Sequence, residues 1–204
     1  MHRINTTGAS SRSLEELMDT EKNNHLVFGR ECGGCFACCV TLRIDTPELQ
    51  KYADISCHKI APGGGCAIYP NRPGVCRSWF CVWRYMPQLD DDWRPDKSKI
   101  IIRCHPEIIP GLILQPLERS IEVLTSHQTL QLIGGCVEQS VPVFISVPTR
   151  EGFCHALLSL NQAFAKPVAS HIFEEVKAAM MEALNHAKQI QTDPIQALKG
   201  ERQG

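Results

Sequence analysis

Hydrophobic positions along this chain change period in a way that separates its two halves. Over residues 168–190, Val168, Ile172, Val176, Met180, Leu184 and Ala187 fall on one stripe, with Glu174, Glu175, Lys177, Glu182 and Lys188 on the opposite side. That spacing predicts a long amphipathic helix with one face on a core. Upstream the period shortens: residues 99–104 (KIIIRC), 111–117 (GLILQPL) and 141–147 (VPVFISV) are apolar runs bounded by Pro and Gly, and read as strands. Residues 119–133 fit a helix ending near Gly134-Gly135, and residues 152–159 form an apolar run of ambiguous type. Near the start, Ser13-Leu14-Glu15-Glu16 has the form of a capping box, with Leu14, Leu17 and Met18 at helical spacing, predicting a short helix there.

Between residues 31 and about 95 no period persists, apart from a short helix expected after Thr46-Pro47-Glu48. The stretch is dense in Gly, Pro and Cys. It offers too few periodic apolar positions to order itself by packing, so another interaction has to hold it.

Composition narrows that interaction. The 204 residues are 43% hydrophobic, enough for a core that needs no cross-links. Lys and Arg number 21 against 22 Asp and Glu, which leaves no footprint for nucleic acid or an anionic membrane surface. The polar start lacks a secretory apolar stretch and no window reads as a membrane span, so a cytoplasmic protein is expected. In a reducing compartment, clustered cysteines bind metal or do redox chemistry more often than they pair.

Of the 11 cysteines, eight (Cys32, Cys35, Cys38, Cys39, Cys57, Cys66, Cys76 and Cys81) fall within residues 32–81. Cys32, Cys35 and Cys38 repeat a C-x-x-C spacing that turns sulfurs toward one point, while Gly33 and Gly34 let the backbone curl around it. Cys39 is adjacent to Cys38, and neighbouring side chains commonly diverge, so at least one of the two is expected to serve another site or none. Further on, Gly63-Gly64-Gly65 supplies slack before Cys66, and Pro70 and Pro73 stiffen the loop presenting Cys66 and Cys76. From residue 55 to 89 the charged residues are Lys59, Arg72, Arg77 and Arg84, with no Asp or Glu. Four thiolates around Zn²⁺ or a [4Fe–4S]²⁺ core leave net negative charge, and guanidinium groups nearby stabilise it. The ligand set this predicts is Cys32, Cys35, Cys38, Cys66, Cys76 and Cys81, joined by Cys39 and Cys57, with Arg72 and Arg77 as the supporting cations.

The combination of CGGCFACC with C-x-I-Y-x-x-R-P-x-x-C-R resembles the CxxCxxCC family of zinc- or iron-chelating cysteine-cluster proteins. The matching positions are Cys32, Cys35, Cys38, Cys39, Cys57, Cys66, Tyr69, Arg72, Pro73, Cys76 and Arg77, and Cys81 looks like a feature of one subset. These motifs cover about residues 30–85. The resemblance implies chelation of zinc or iron without choosing between them. Some relatives are part of a flagellin lysine methylase in which an iron–sulfur cluster is implicated.

Other readings carry less. A thioredoxin-like role for Cys32 and Cys35 leaves six further cysteines without a purpose. Cys57-His58, Cys104-His105 and Cys154-His155 place histidines beside cysteines, and His58 alone lies inside the cluster. Asp90-Asp91-Asp92 reads as a solvated loop, and Trp79, Phe80, Trp83 and Tyr85 as a shield for a metal. No Walker loop, G-x-G-x-x-G, H-E-x-x-H or G-x-S-x-G is present, and no protein partner is indicated.

The expected architecture is α+β: an irregular Cys-rich metal-binding module in the N-terminal half, packed on a small mixed α/β body with a long C-terminal helix. Its parts are a disordered N-terminus (1–12), helix plus cysteine module (13–94), body (95–191) and flexible tail (192–204). The expected function is chelation of zinc or an iron–sulfur cluster; the alternative is an iron–sulfur-dependent protein-modifying enzyme of the methyltransferase kind.

Overall fold

The computed structural model describes residues 26–196. The helix expected at residues 13–18 lies outside them. Two sheets and six α-helices make up a mixed α/β structure: α1 (Ala37–Thr41), β1 (Ile44–Thr46), β2 (Leu49–Lys51), α2 (Gly74–Ser78), α3 (Pro95–Ser98), β3 (Ile100–Cys104), β4 (Leu112–Pro116), α4 (His127–Glu138), β5 (Val143–Val147), β6 (Ala156–Ser159), α5 (Asn161–Ala169) and α6 (Phe173–Gln189). Among the described residues no helix is long and apolar enough to cross a membrane.

Strands β3 to β6 form one sheet in sequence order, with β3–β4 and β5–β6 antiparallel and β4–β5 parallel. The parallel pair requires a crossover, and α4 supplies it. On one face Ile100, Ile102, Leu112, Leu114, Val143 and Ile145 meet Phe164, Val176, Met180 and Leu184 from the helices in the principal core. Both β4 and β5 are buried along their whole length, so they read as apolar runs interrupted only by Gln115 and Ser146 rather than as alternating ones. The other face turns toward the cysteine-bearing segment and carries Arg103, Gln115 and Ser146.

Three elements differ from the pattern reading, each for a local reason. Residues 44–51 form an antiparallel hairpin rather than a helix, because Thr46 Oγ1 accepts from the Leu49 N–H at 3.2 Å and closes the turn around Pro47. The crossover helix begins only at His127, capped by Ser126, and runs through Gly134 and Gly135. Burial of Ile133 and Cys136 against the sheet outweighs the low helix propensity of the glycines there. The long C-terminal stripe is split: α5 ends at Ala169, His171 takes φ +55, and α6 starts at Phe173. Pro167 lacks an N–H, Ser170 Oγ donates to its carbonyl, and Ile172 is left 51% exposed. Val176, Met180, Leu184 and Ala187 are buried as the stripe predicts.

At the other end, residues 192–196, placed by sequence in the flexible tail, lie along the body. The Cys154 N–H donates to Asp193 O at 2.9 Å, the Ile195 N–H to Gly152 O at 2.9 Å, and Arg43 Nη1 to Gln196 O at 2.9 Å.

Cys136 sits in the principal core, and burial pushes its thiol up to about 11 from an ordinary 9.0. The folded state therefore holds this proton more tightly than the unfolded chain. The stability it contributes is complete below about pH 9 and drains away as the pH climbs to about 11, amounting to about 3 kcal/mol at most. Denaturant unfolding at about pH 8 and about pH 11 should show wild type losing more stability than Cys136→Ala. Equal losses would mean that this thiol is not what titrates.

Candidate metal centre

Eight free cysteines line or flank one cleft. Its first wall is built by short elements that cannot hold themselves by packing. Helix α1 places Cys38 and Cys39 after the Cys32–Cys35 turn, in which the Cys35 N–H donates to Cys32 O at 2.8 Å. The Cys57 N–H donates to Cys39 O at 2.9 Å, and a bridge between Ile60 and Cys66 brings the next cysteine alongside. Helix α2 carries Cys76, and Cys81 precedes a single 3-10 turn at Val82–Arg84.

The two cysteine blocks meet at glycines. Gly64 and Gly65 have φ of +88 and +75, and a Cβ added to them would lie 3.2 Å from Gly34 O and 3.1 Å from Gly33 O. Only residues without side chains let the loop before Cys66 press onto the Cys32–Cys35 turn this closely.

The sulfurs form a connected series. Cys35 neighbours Cys32, Cys81 neighbours both, and Cys38 neighbours Cys32, Cys35 and Cys39. Beyond Cys39 the series continues through Cys76 to Cys57 and Cys66. Cys35, Cys38 and Cys81 also pack against one small apolar cluster of Ala37, Ile101 and Leu117. Charge interactions run among Cys32, Cys35, Cys38 and Cys81 on one side of the adjacent Cys38 and Cys39, and from Cys39 to Cys76, Cys57 and Cys66 on the other. Among the described residues, no three His, Cys, Asp or Glu side chains are already drawn into a cage for a metal ion.

Electrostatics on this wall favour anionic sulfur at one end. A hydrogen bond from the Cys38 thiol lowers Cys39 to about 7, with Lys51 and Arg72 adding attraction. The same hydrogen bond, together with burial, pushes Cys38 well above the thiol range. Burial raises Cys35 and Cys76, and lifts Cys81 to about 12. Arg84 Nη1 points at Cys32 Sγ from 3.7 Å. Arg72 stacks on the Tyr69 ring at 4.0 Å and lines the cleft with Arg77.

Lys51 is a cation at the sulfurs that the sequence does not single out, beside Arg84, one of the four cations of residues 55–89. Lys51 is buried, and its ammonium donates to Val40 O at 3.0 Å, Tyr52 O at 2.9 Å and Leu42 O. Of the histidines, His58 is exposed on the cleft rim. His105 is a structural residue: its Nδ1 accepts from the Glu107 and Ile108 N–H groups and its ring stacks on Phe144.

The cleft has a volume of about 1760 Å³, and its second wall is the free face of the sheet, with Arg103, Gln115, Ser146 and His155. Among the described residues the half-buried Arg103 guanidinium has no hydrogen bond or ion pair, its Nε is buried without a partner, and burial pulls it below the usual arginine range. An uncompensated buried cation is destabilising. Arg103→Met is accordingly expected to leave thermal stability unchanged or raise it by about 1–3 kcal/mol. A loss of more than about 1 kcal/mol would mean the guanidinium is satisfied in solution.

Comparison with protein-family models, with curated proteins and with solved structures finds no match to this chain. The family resemblance thus rests on its motif residues alone.

Proposed function

We propose that residues 32–81 chelate a metal centre, zinc or an iron–sulfur cluster, through clustered cysteine thiolates. The observation that carries this reading is the meeting of the two cysteine blocks at Gly33-Gly34 and Gly64-Gly65, which joins eight free sulfurs from separated stretches of sequence into one neighbourhood. The residues fit such a group: soft sulfur donors, flanking cations at Lys51, Arg72 and Arg84, and no carboxylate in residues 55–89. Cys32, Cys35, Cys38 and Cys81 would hold one four-thiolate centre, and Cys39, Cys57, Cys66 and Cys76 another. When bound, the metal supplies the cross-link that the apolar residues of this segment do not.

The cleft favours a second reading, in which the centre serves an iron–sulfur-dependent protein-modifying enzyme. A volume of about 1760 Å³ exceeds what a metal ion occupies and admits a peptide-sized ligand between the cysteine wall and the polar sheet face.

Anaerobic purification separates these outcomes. Broad absorbance near 400 nm with iron and sulfide marks a cluster. A colourless protein with stoichiometric zinc marks a chelating module, and a protein holding neither metal would overturn the proposal.

A further inference from the structure

A line of three hydrogen-bonded side chains crosses the cleft. Ser146 Oγ lies 3.1 Å from His155 Nδ1, and His155 Nε2 lies 2.8 Å from Asp54 Oδ2. Ser146 is 4% exposed, the Asp54 and His155 side chains are 18% and 14% exposed, and all three line the cleft. A carboxylate only accepts, so in the neutral imidazole the shared proton sits on Nε2. Nδ1 then presents a lone pair, and the proton between it and Ser146 belongs to Oγ. This is the protonation pattern a hydroxyl nucleophile needs from its base, with the two ring nitrogens exchanged relative to the serine hydrolase arrangement.

The line is more than a tether between hairpin and sheet. Asp54 takes φ +59, in the left-handed region, and its Oδ1 is buried with no partner among the described residues. Holding a carboxylate on a strained backbone with one oxygen unsatisfied costs free energy that a surface tether would avoid. Ser146 occupies a cleft-facing position of β5, opposite Leu157 of β6. On the neighbouring strand Gln115 brings an amide donor to the same wall, the group a tetrahedral oxyanion requires.

We propose that Ser146 is the nucleophile of an acyl-transfer site for carboxylic esters, with His155 as general base and Asp54 as the residue that positions the imidazole. Oγ bonds to the ester carbonyl carbon while its proton passes to Nδ1, and the carbonyl electron pair moves onto oxygen. Collapse of that pair expels the alkoxide, which takes the proton back from Nδ1. Water then attacks the acyl-serine, giving a proton to Nδ1, and the departing Oγ recovers it. Ester and water become acid and alcohol, with no oxidant or reductant. The site stands independently of metal chelation.

The test is labelling of the purified full chain with a fluorophosphonate probe, followed by peptide mass spectrometry. An adduct on Ser146 is expected, absent in Ser146→Ala and formed at least about 100-fold more slowly in His155→Gln. Asp54→Asn should lower the maximal labelling rate about tenfold or more and leave the half-saturating probe concentration unchanged, a split that a tether would not produce. Unfolding midpoints within a few degrees of wild type confirm that the variants are folded. An unlabelled Ser146 in folded wild type, or an adduct that forms as fast in His155→Gln, would overturn the assignment. Metal content measured on the same samples reports separately on chelation.

Discussion

Removing metal with a chelator is expected to open residues 52–81 to proteases while the α/β body stays folded. The reason lies in where the apolar burial is. Between residues 52 and 81 the only buried hydrophobic side chain is that of Cys57. Ordering a backbone costs about 1–2 kcal/mol per residue, and this segment has no core to offset it. Structural four-thiolate sites contribute on the order of 10 kcal/mol, which offsets part of that cost. Limited proteolysis with mass spectrometry should show new cuts in this segment after chelation, and the same cuts without chelator in Cys66→Ser or Cys76→Ser. Retained protection in metal-free protein would show that packing alone orders the segment.

Phe164→Ala should act in the opposite way. Phe164 is fully buried on α5, among the side chains that join the sheet to the helices. Truncation removes the ring and leaves a cavity in a region with little freedom to collapse, at a loss of about 3–5 kcal/mol. For a chain of this size that corresponds to a fall of about 10 °C or more in the unfolding midpoint. Metal stoichiometry measured well below the midpoint should stay at the wild-type value, because no cysteine of the cluster is displaced. A midpoint unchanged by the substitution would contradict the assignment of the core to this face of the sheet.

The two expected effects follow a division already visible in the chain. Strands β3, β4 and β5 were legible because short apolar runs between Pro and Gly have few alternatives, and the stripe of α6 because its period is long and unbroken from Val176 to Ala187. The break between α5 and α6 was hidden, since Val168 and Ile172 continue the stripe while Pro167 and the left-handed His171 interrupt the backbone. The hairpin at residues 44–51 depended on a single side-chain contact from Thr46, too local to register as a period.

In the cleft, cysteine spacing together with the glycines at 33–34 and 63–65 pointed to two blocks converging, because close backbone approach needs glycine. Lys51 escaped notice as a neighbour of sulfur, and Arg84 was read only as one of four cations in residues 55–89, since a cation's partner is set by folding and not by spacing. The Asp54–His155 contact joins residues 101 apart in sequence, with Ser146 in the middle of a strand rather than in a G-x-S-x-G turn. No motif marks such a constellation.

X-ray absorption at the metal edge of the anaerobically purified protein addresses chelation most directly. A first shell made only of sulfur is expected, at about 2.3 Å if the metal is zinc. A shell dominated by nitrogen or oxygen, or the absence of any edge above background, would contradict it.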